Sequence, residues 1–221
     1  MRRTVRQLVI AMAATATLVV LATPANAALS VRALWNMDQL PTMVDSAGGD
    51  NNGTTRNITL SSGAYKFNGT SSLATSPDKS NLDPGTTAIR LTARISLTKA
   101  PATGQTFDVV RKGYTTTSGG YYKLELMRSS TGLAIAACLF KDSSGRINEV
   151  RGSTGLANKG YVTVTCTKTS SGVTLNAAGQ TRSVSKTIGS ISNSASVYVG
   201  AKSDGTDAFP GLMDYVKIEI G

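Results

Sequence analysis

Residues 88–98 alternate apolar and polar without a break: Ile89, Leu91, Ala93, Ile95 and Leu97 share one parity, and Arg90, Thr92, Arg94, Ser96 and Thr98 the other. Side chains of a strand point alternately to its two faces, so this segment predicts a strand with one face on a core and one in water, whereas a helix would scatter both sets. Similar short runs recur at 54–60, 64–68, 107–111, 121–127, 133–140, 146–151, 161–167, 173–177 and 196–200. Turn clusters such as Asp83-Pro84-Gly85, Ser118-Gly119-Gly120 and Asp142-Ser143-Ser144-Gly145 lie between them. Many strands at this spacing predict an all-β sandwich or barrel. An early Trp35-Asn36-Met37-Asp38 and a closing 209–218 read as the first and last strands of that closed structure, and no Pro-rich linker or composition break divides the chain.

Residues 1–27 stand apart from this pattern. Arg2, Arg3 and Arg6 precede an apolar run over 8–21, and Ala25-Asn26-Ala27 supplies a small-x-small cleavage site, which together read as an export signal with the mature chain starting at Ala28. The apolar run is shorter than the roughly 20 residues of a bilayer-spanning helix. The expectation is a secreted protein of one domain over 28–221, with no membrane attachment after cleavage. Losing three arginines and no acidic residue lowers the net charge from +10 to +7. The remaining basic residues, Arg90, Arg94, Arg111, Lys112, Lys123 and Arg128 among them, are spread singly and read as a solubilising surface rather than a nucleic-acid groove. Their weak positive field favours loose contact with anionic cell-wall polymers or acidic polysaccharides.

The cysteines follow the strand logic. Cys138 ends an apolar run and Cys166 follows Val162 and Val164 on the inward parity of its own segment. Both are expected buried and close, and in an exported chain such a pair reads as one disulfide.

Histidine is absent from the chain, which removes Ser-His-Asp and Cys-His catalysis and nearly every zinc site. The three glutamates, Glu125, Glu149 and Glu219, are isolated from one another, and Glu125 reads as a solvated strand residue. A polysaccharide lyase working without histidine would have Tyr121, Tyr122 and Arg111 to draw on. Sugars are recognised by an aromatic face against the apolar side of the ring, with polar groups fixing the hydroxyls. Tyr114, Tyr121 and Tyr122 flank the 115–120 loop and are the candidate ligand-binding residues, on a concave sheet or at a loop rim. Trp35 is assigned to the core.

Several segments carry a family resemblance in order: Leu34-Trp35-Asn36-Met37-Asp38; Val44-Asp45-Ser46 leading to Asn51-Asn52-Gly53; Ala64-Tyr65-Lys66-Phe67-Asn68-Gly69; and Val199-Gly200-Ala201-Lys202 followed by Phe209-Pro210-Gly211-Leu212-Met213-Asp214-Tyr215-Val216. With the Cys138 and Cys166 positions, they make the chain resemble a secreted laminin-G-like domain of the concanavalin A-like jelly-roll class. The chain departs from that family at Gly160-Tyr161-Val162-Thr163 and at Asn176-Ala177-Ala178-Gly179. The resemblance implies a two-layer antiparallel β-sandwich with its first and last strands paired. It also implies a structural calcium on the convex side, held by Asp38 and Asp214 with help from Asp45; calcium takes six to eight oxygens, so carboxylates, carbonyls and waters would suffice. Jelly-roll glucanases carry Glu-x-Asp-x-x-Glu on one strand, and no glutamate here sits in that pattern. The sequence therefore reads as a secreted, non-catalytic β-sandwich that binds carbohydrate or a cell-surface polymer. The alternatives are a structural or protein-interaction module of the cell exterior without sugar specificity, and a divergent polysaccharide lyase or glycosidase.

Overall fold

The computed structural model describes residues 28–221, so the export signal expected over 1–27 lies outside the described residues. In chain order the strands are β1 (Ser30–Trp35), β2 (Thr42–Met43), β3 (Gly53–Arg56), β4 (Thr59–Ser61), β5 (Ala64–Asn68), β6 (Leu73–Ser76), β7 (Ile89–Leu97), β8 (Thr106–Lys112), β9 (Tyr121–Arg128), β10 (Ala134–Lys141), β11 (Ile147–Arg151), β12 (Val162–Lys168), β13 (Val173–Ala177), β14 (Gln180–Val184), β15 (Val197–Val199) and β16 (Pro210–Ile220). The one helical element among the described residues is a 3-10 turn at Ser80–Leu82.

Two antiparallel sheets form the layers. The first runs β14-β13-β12-β7-β16-β5-β4, with β1 also on β16, and the second runs β11-β10-β9-β8-β15-β6-β3-β2. Strand β16 is long enough to pair with β7 along one edge while sharing its other edge between β1 and β5. Trp35 lies opposite Val216, so the two ends of the described chain are neighbours, as the closing motifs predict. Proline at the first position of β16 removes no ladder bond that the strand interior needs.

The alternation in β7 works as expected: Ile89, Leu91, Ala93 and Ile95 are fully buried and join Trp35, Phe67, Phe140, Val164 and Ile218 in one core between the sheets. Close packing fixes Gly200, at φ +85°, where a Cβ would sit 2.1 Å from the Phe67 ring. Cys138 on β10 and Cys166 on β12 form a disulfide that joins the two layers, with Cα atoms 5.6 Å apart. Closing its 28-residue separation stabilises the fold by about 3 kcal/mol in the chain-entropy picture.

Three sequence expectations change. The single strand expected over 54–60 is two, β3 and β4, in different sheets. Asn57 breaks it at φ 52°, a left-handed conformation that asparagine tolerates better than most residues. Strands β2, β6 and β14 were not anticipated, and the opening strand ends at Trp35 instead of running on to Asp38; β14 carries no inward apolar set, and it forms because a tight turn at Ala178 and Gly179 folds it onto β13. Basic residues are also not uniformly superficial. Lys112 is fully buried, its ammonium held by Asp78 at 2.8 Å, by Asp83 at 2.5 Å and by the Asn193 carbonyl, as a buried charge requires.

Candidate functional site

In β9 and β10 the inward positions Tyr122, Leu124, Leu126, Ala136, Cys138 and Phe140 belong to the core. Tyr121, Lys123, Glu125, Met127, Ile135, Ala137, Leu139 and Lys141 therefore face away from it. Register assembles these outward residues into rows across the second sheet. One row runs Thr75, Tyr198, Arg111, Lys123, Leu139, Glu149. The next runs Asp108, Glu125, Ala137, Arg151, and the third runs Thr106, Met127, Ile135. Successive rows are about 6.5 Å apart, two residues along a strand. Asp108 and Arg111, three apart, share this face only because a bulge lies between Asp108 and Val110, which re-aims the side chains that follow it.

Like charges stand opposite one another across strands, Arg111 with Lys123 and Asp108 with Glu125, an arrangement that is destabilising by itself. Neutralisation runs along the strands instead. The Arg111 Nη1 donates to Asp108 Oδ2 at 2.6 Å, Lys123 Nζ lies 2.5 Å from Glu125 Oε2, and Arg151 Nε donates to Glu149. Burial pushes the Asp108 and Glu125 carboxyls up, against the pull of Arg111 and Lys123 downward. Asp108 Oδ1 is buried without a partner among the described residues. Burial, and then the Glu125 charge, push the Tyr121 phenol up to about 12.

One end of this face is aromatic. The Arg111 guanidinium lies 4.3 Å from the centre of the Tyr114 ring, and the Tyr198 ring is 6.3 Å away, tilted by 46°. The Tyr114 hydroxyl is 2.7 Å from Ser203 Oγ and accepts the Ser203 N–H at 2.9 Å, which pins the β8–β9 loop to the loop before β16. Gly119, at φ +81°, brings that loop against the 192 backbone, where a Cβ would meet the Ser192 carbonyl at 1.8 Å. The other end is a cleft of about 440 Å³ between Met127, Ile135, Arg128, Arg151 and Ser153.

The structure separates the residues expected to bind ligand. Tyr114 is half-buried on this face. Tyr121 lies on the same face among Arg111, Glu125 and Asp108 and is 1% exposed. Tyr122 points the other way into the core, its hydroxyl donating to the Leu82 carbonyl at 3.0 Å, because adjacent strand residues face opposite sides. Tyr122 is thus corrected from a ligand residue to a core residue, and the Tyr121, Tyr122, Arg111 trio cannot share one site. Glu125, expected in solvent, is 2% exposed, since the face it occupies is a packed cluster. Tyr198, Arg128 and Arg151 were missed; the register of five strands brings Tyr198 and Arg151 to this surface, and Arg128, on the inward parity opposite Ala134, reaches the cleft from the end of β9.

Of the residues expected to hold calcium, Asp45 and Asp214 carry bonds within the protein. The Asp45 carboxylate accepts the N–H groups of Leu34, Ala47 and Asn51 and the Asn51 amide, and those bonds outweigh burial to hold it below the usual carboxylate range. Asp214 accepts from Arg94 Nη1 at 2.7 Å. Asp38 is exposed, near enough to Tyr65 to help burial push that phenol up to about 12. Among the described residues no group of three or more Asp, Glu, His or Cys comes together at metal-binding distance.

Comparison with known structures places this architecture. Domain 4 of AbnA, an extracellular arabinanase from Geobacillus stearothermophilus solved in complex with arabinotriose, superposes with a TM-score of 0.62 at 15% identity over 87% of this chain and 93% of that one. A botulinum neurotoxin type C structure, described for cell entry dependent on two ganglioside molecules, gives 0.63 at 10% identity over 86% of this chain. The binding domain of Paraclostridial mosquitocidal protein 1 gives 0.62 at 12% over 86%. This chain spans about half the length of each of the two toxin chains, 47%. At these identities the likeness is one of fold. No curated protein matches. Residues 67–219 match the sequence pattern of the concanavalin A-like lectin/glucanases superfamily, and with two antiparallel layers and a first strand paired to its last, the chain belongs to that superfamily.

Proposed function

We propose that the chain is an exported, non-catalytic module that binds glycan on the outward face of its second sheet. The observation that carries this reading is the Tyr114–Tyr198 pair, both half-buried, with ring centres 6.3 Å apart and the Arg111 guanidinium stacked on Tyr114: partly exposed aromatic surface held in place suits the apolar side of a sugar ring. Structural neighbours solved with arabinotriose or described with gangliosides support a binding role. The same face argues for binding over catalysis. Its two adjacent carboxyls, Asp108 and Glu125, are 0% and 2% exposed and held by Arg111 and Lys123, whereas glycoside hydrolysis needs a carboxyl pair that reaches the scissile bond.

Affinity electrophoresis on arabinan and other cell-wall polysaccharides tests the proposal. Retardation of the secreted protein should fall at least about tenfold in Tyr198→Ala, the loss of roughly 1.4 kcal/mol of contact, and remain unchanged in Tyr161→Ala, just before β12 of the opposite sheet. Binding to no polysaccharide, or binding indifferent to Tyr198, overturns it and leaves the protein-interaction reading. Amino-terminal sequencing of the secreted product should begin at Ala28.

A further inference from the structure

We infer that the cleft at the far end of this face selects a carboxylate-bearing sugar residue, so that the module recognises an acidic rather than a neutral polysaccharide. The inference rests on the glycan-binding reading and names its ligand class. The cleft combines the two things a uronic acid needs. Its floor is apolar, Met127 and Ile135 standing side by side in one row of the sheet. Its walls are basic, Arg128 and Arg151, and the Arg182 Nη2 reaches it from β14 to donate to Ser153 Oγ at 3.0 Å. Two guanidiniums thus line the cleft and a third bonds a residue of its wall, with Glu149 the carboxylate bonded to Arg151.

These cations are only partly committed. Arg151 gives its Nε to Glu149, and Arg128 gives its Nη1 to the Pro101 carbonyl at 3.2 Å. A guanidinium carries five N–H donors in a planar fork, so both keep donors beyond these bonds among the described residues. The Arg151 side chain is 58% exposed and open to a ligand, unlike Arg111, which is 3% exposed. A fork of this kind meets a carboxylate with two parallel charge-assisted bonds, while the sugar ring lies on Met127 and Ile135. A volume of about 440 Å³ is in the range of ligand clefts. The seryl and threonyl hydroxyls of 129–131 at its lip supply further partners.

The test measures retardation on polygalacturonate and on its fully methyl-esterified form, which keeps the sugar skeleton and removes the charge. Wild-type protein should bind the acid form about tenfold more tightly, and Arg151→Gln and Arg128→Gln should each remove most of that preference, as loss of a charge-assisted bond predicts. Arg90→Gln, which removes the same charge from the first sheet, should leave the preference intact. Equal loss in Arg90→Gln would show bulk charge attraction and overturn the inference. So would stronger binding of dextran sulfate through the same two arginines, which would make the site one for sulfate. Equal retention on both pectins with continued sensitivity to Tyr198→Ala overturns the inference while the glycan-binding reading stands; binding to neither, nor to any other polysaccharide, overturns both.

Discussion

The two outer faces of the sandwich arise from the same period-two pattern and differ in what that pattern carries. On the first sheet the rows read Glu219, Arg90, Thr167, Thr174, Ser183 and Lys217, Thr92, Thr165, Asn176, Thr181, mostly hydroxyls, amides and long basic chains. One of its ion pairs, Arg94 with Asp214, has side chains 41% and 35% exposed, and Glu219 lies between Arg90 and Lys217. On the second sheet the pair Arg111 with Asp108 is 3% and 0% exposed, and tyrosine, leucine, isoleucine and methionine share the rows with the charges. A solvated face tolerates almost any polar residue. A face whose charges are desolvated has fixed geometry, and fixed geometry is what recognition requires.

Stability measurements can break this comparison, and the largest effect is expected where a buried charge loses its partner. Asp108→Ala leaves Arg111 desolvated and should lower unfolding free energy by about 3–5 kcal/mol, read from urea midpoints. Asp214→Ala on the first sheet should cost less than about 1 kcal/mol. The double variant Asp108→Leu with Arg111→Met should recover most of the loss, since an apolar pair of similar volume often replaces a buried ion pair without penalty. Equal losses at Asp108 and Asp214 would show that the two faces do not differ as described.

The disulfide links the faces and sharpens the same contrast. Its sulfurs belong to β10 of the second sheet and β12 of the first. Replacing both cysteines by alanine should lower stability by about 3 kcal/mol, through the unfolded chain, while leaving binding by the native fraction unchanged. A loss of glycan binding without a loss of stability would mean that the bridge positions the second face rather than the fold.

Much of this fold was legible in the sequence, and the reason lies in β7. Strict alternation over 88–98 fixes both the element and its faces, and Ala64–Asn68 and Val173–Ala177 were read to their observed ends for the same reason. The pairing of Trp35 with Val216 followed from closing motifs rather than from periodicity. The candidate site was legible only in part. Tyr114 could be placed beside its glycine-rich loop, but Tyr121 and Tyr122 are consecutive, and composition says nothing about which of two neighbours faces inward. Tyr198 and Arg151 reach one face through register over β8, β9, β10, β11 and β15, Arg128 joins the cleft from the end of β9, and a bulge at Asp108 shifts the parity of one of those strands. No local pattern encodes that shift, because the residues that pair across strands are separated by tens of positions.

The smallest effect concerns acid. Two kinds of carboxyl are set against each other: Asp142 and Asp45, held low by hydrogen bonds, and Asp108 and Glu125, raised by burial. Asp142 accepts from the Ser144 hydroxyl and N–H, from the Gly189 and Arg146 N–H groups and from the Arg146 guanidinium, so it ties the 142–146 turn to the strand-free segment before β15. A carboxyl whose native value is depressed contributes stability that is present above its unfolded value near 3.8 and is lost as pH falls below it. A carboxyl whose native value is raised does the reverse: the native state binds its proton first, and stability from that group grows as pH falls through the raised native value towards the unfolded one. Proton uptake by the raised pair should therefore offset part of the acid loss, and wild-type stability should fall steeply only below about pH 4, where the depressed carboxylates lose their advantage. Asp142→Asn should lose about 1–2 kcal/mol at neutral pH, the range of its charge-assisted bonds, and show a flatter acid limb. Glu125→Gln should lack the compensating gain and begin to fall at a higher pH than wild type. Parallel acid limbs in all three proteins would show that neither the turn carboxylate nor the second face governs the titration, and would remove the distinction between carboxyls held low by hydrogen bonds and those raised by burial.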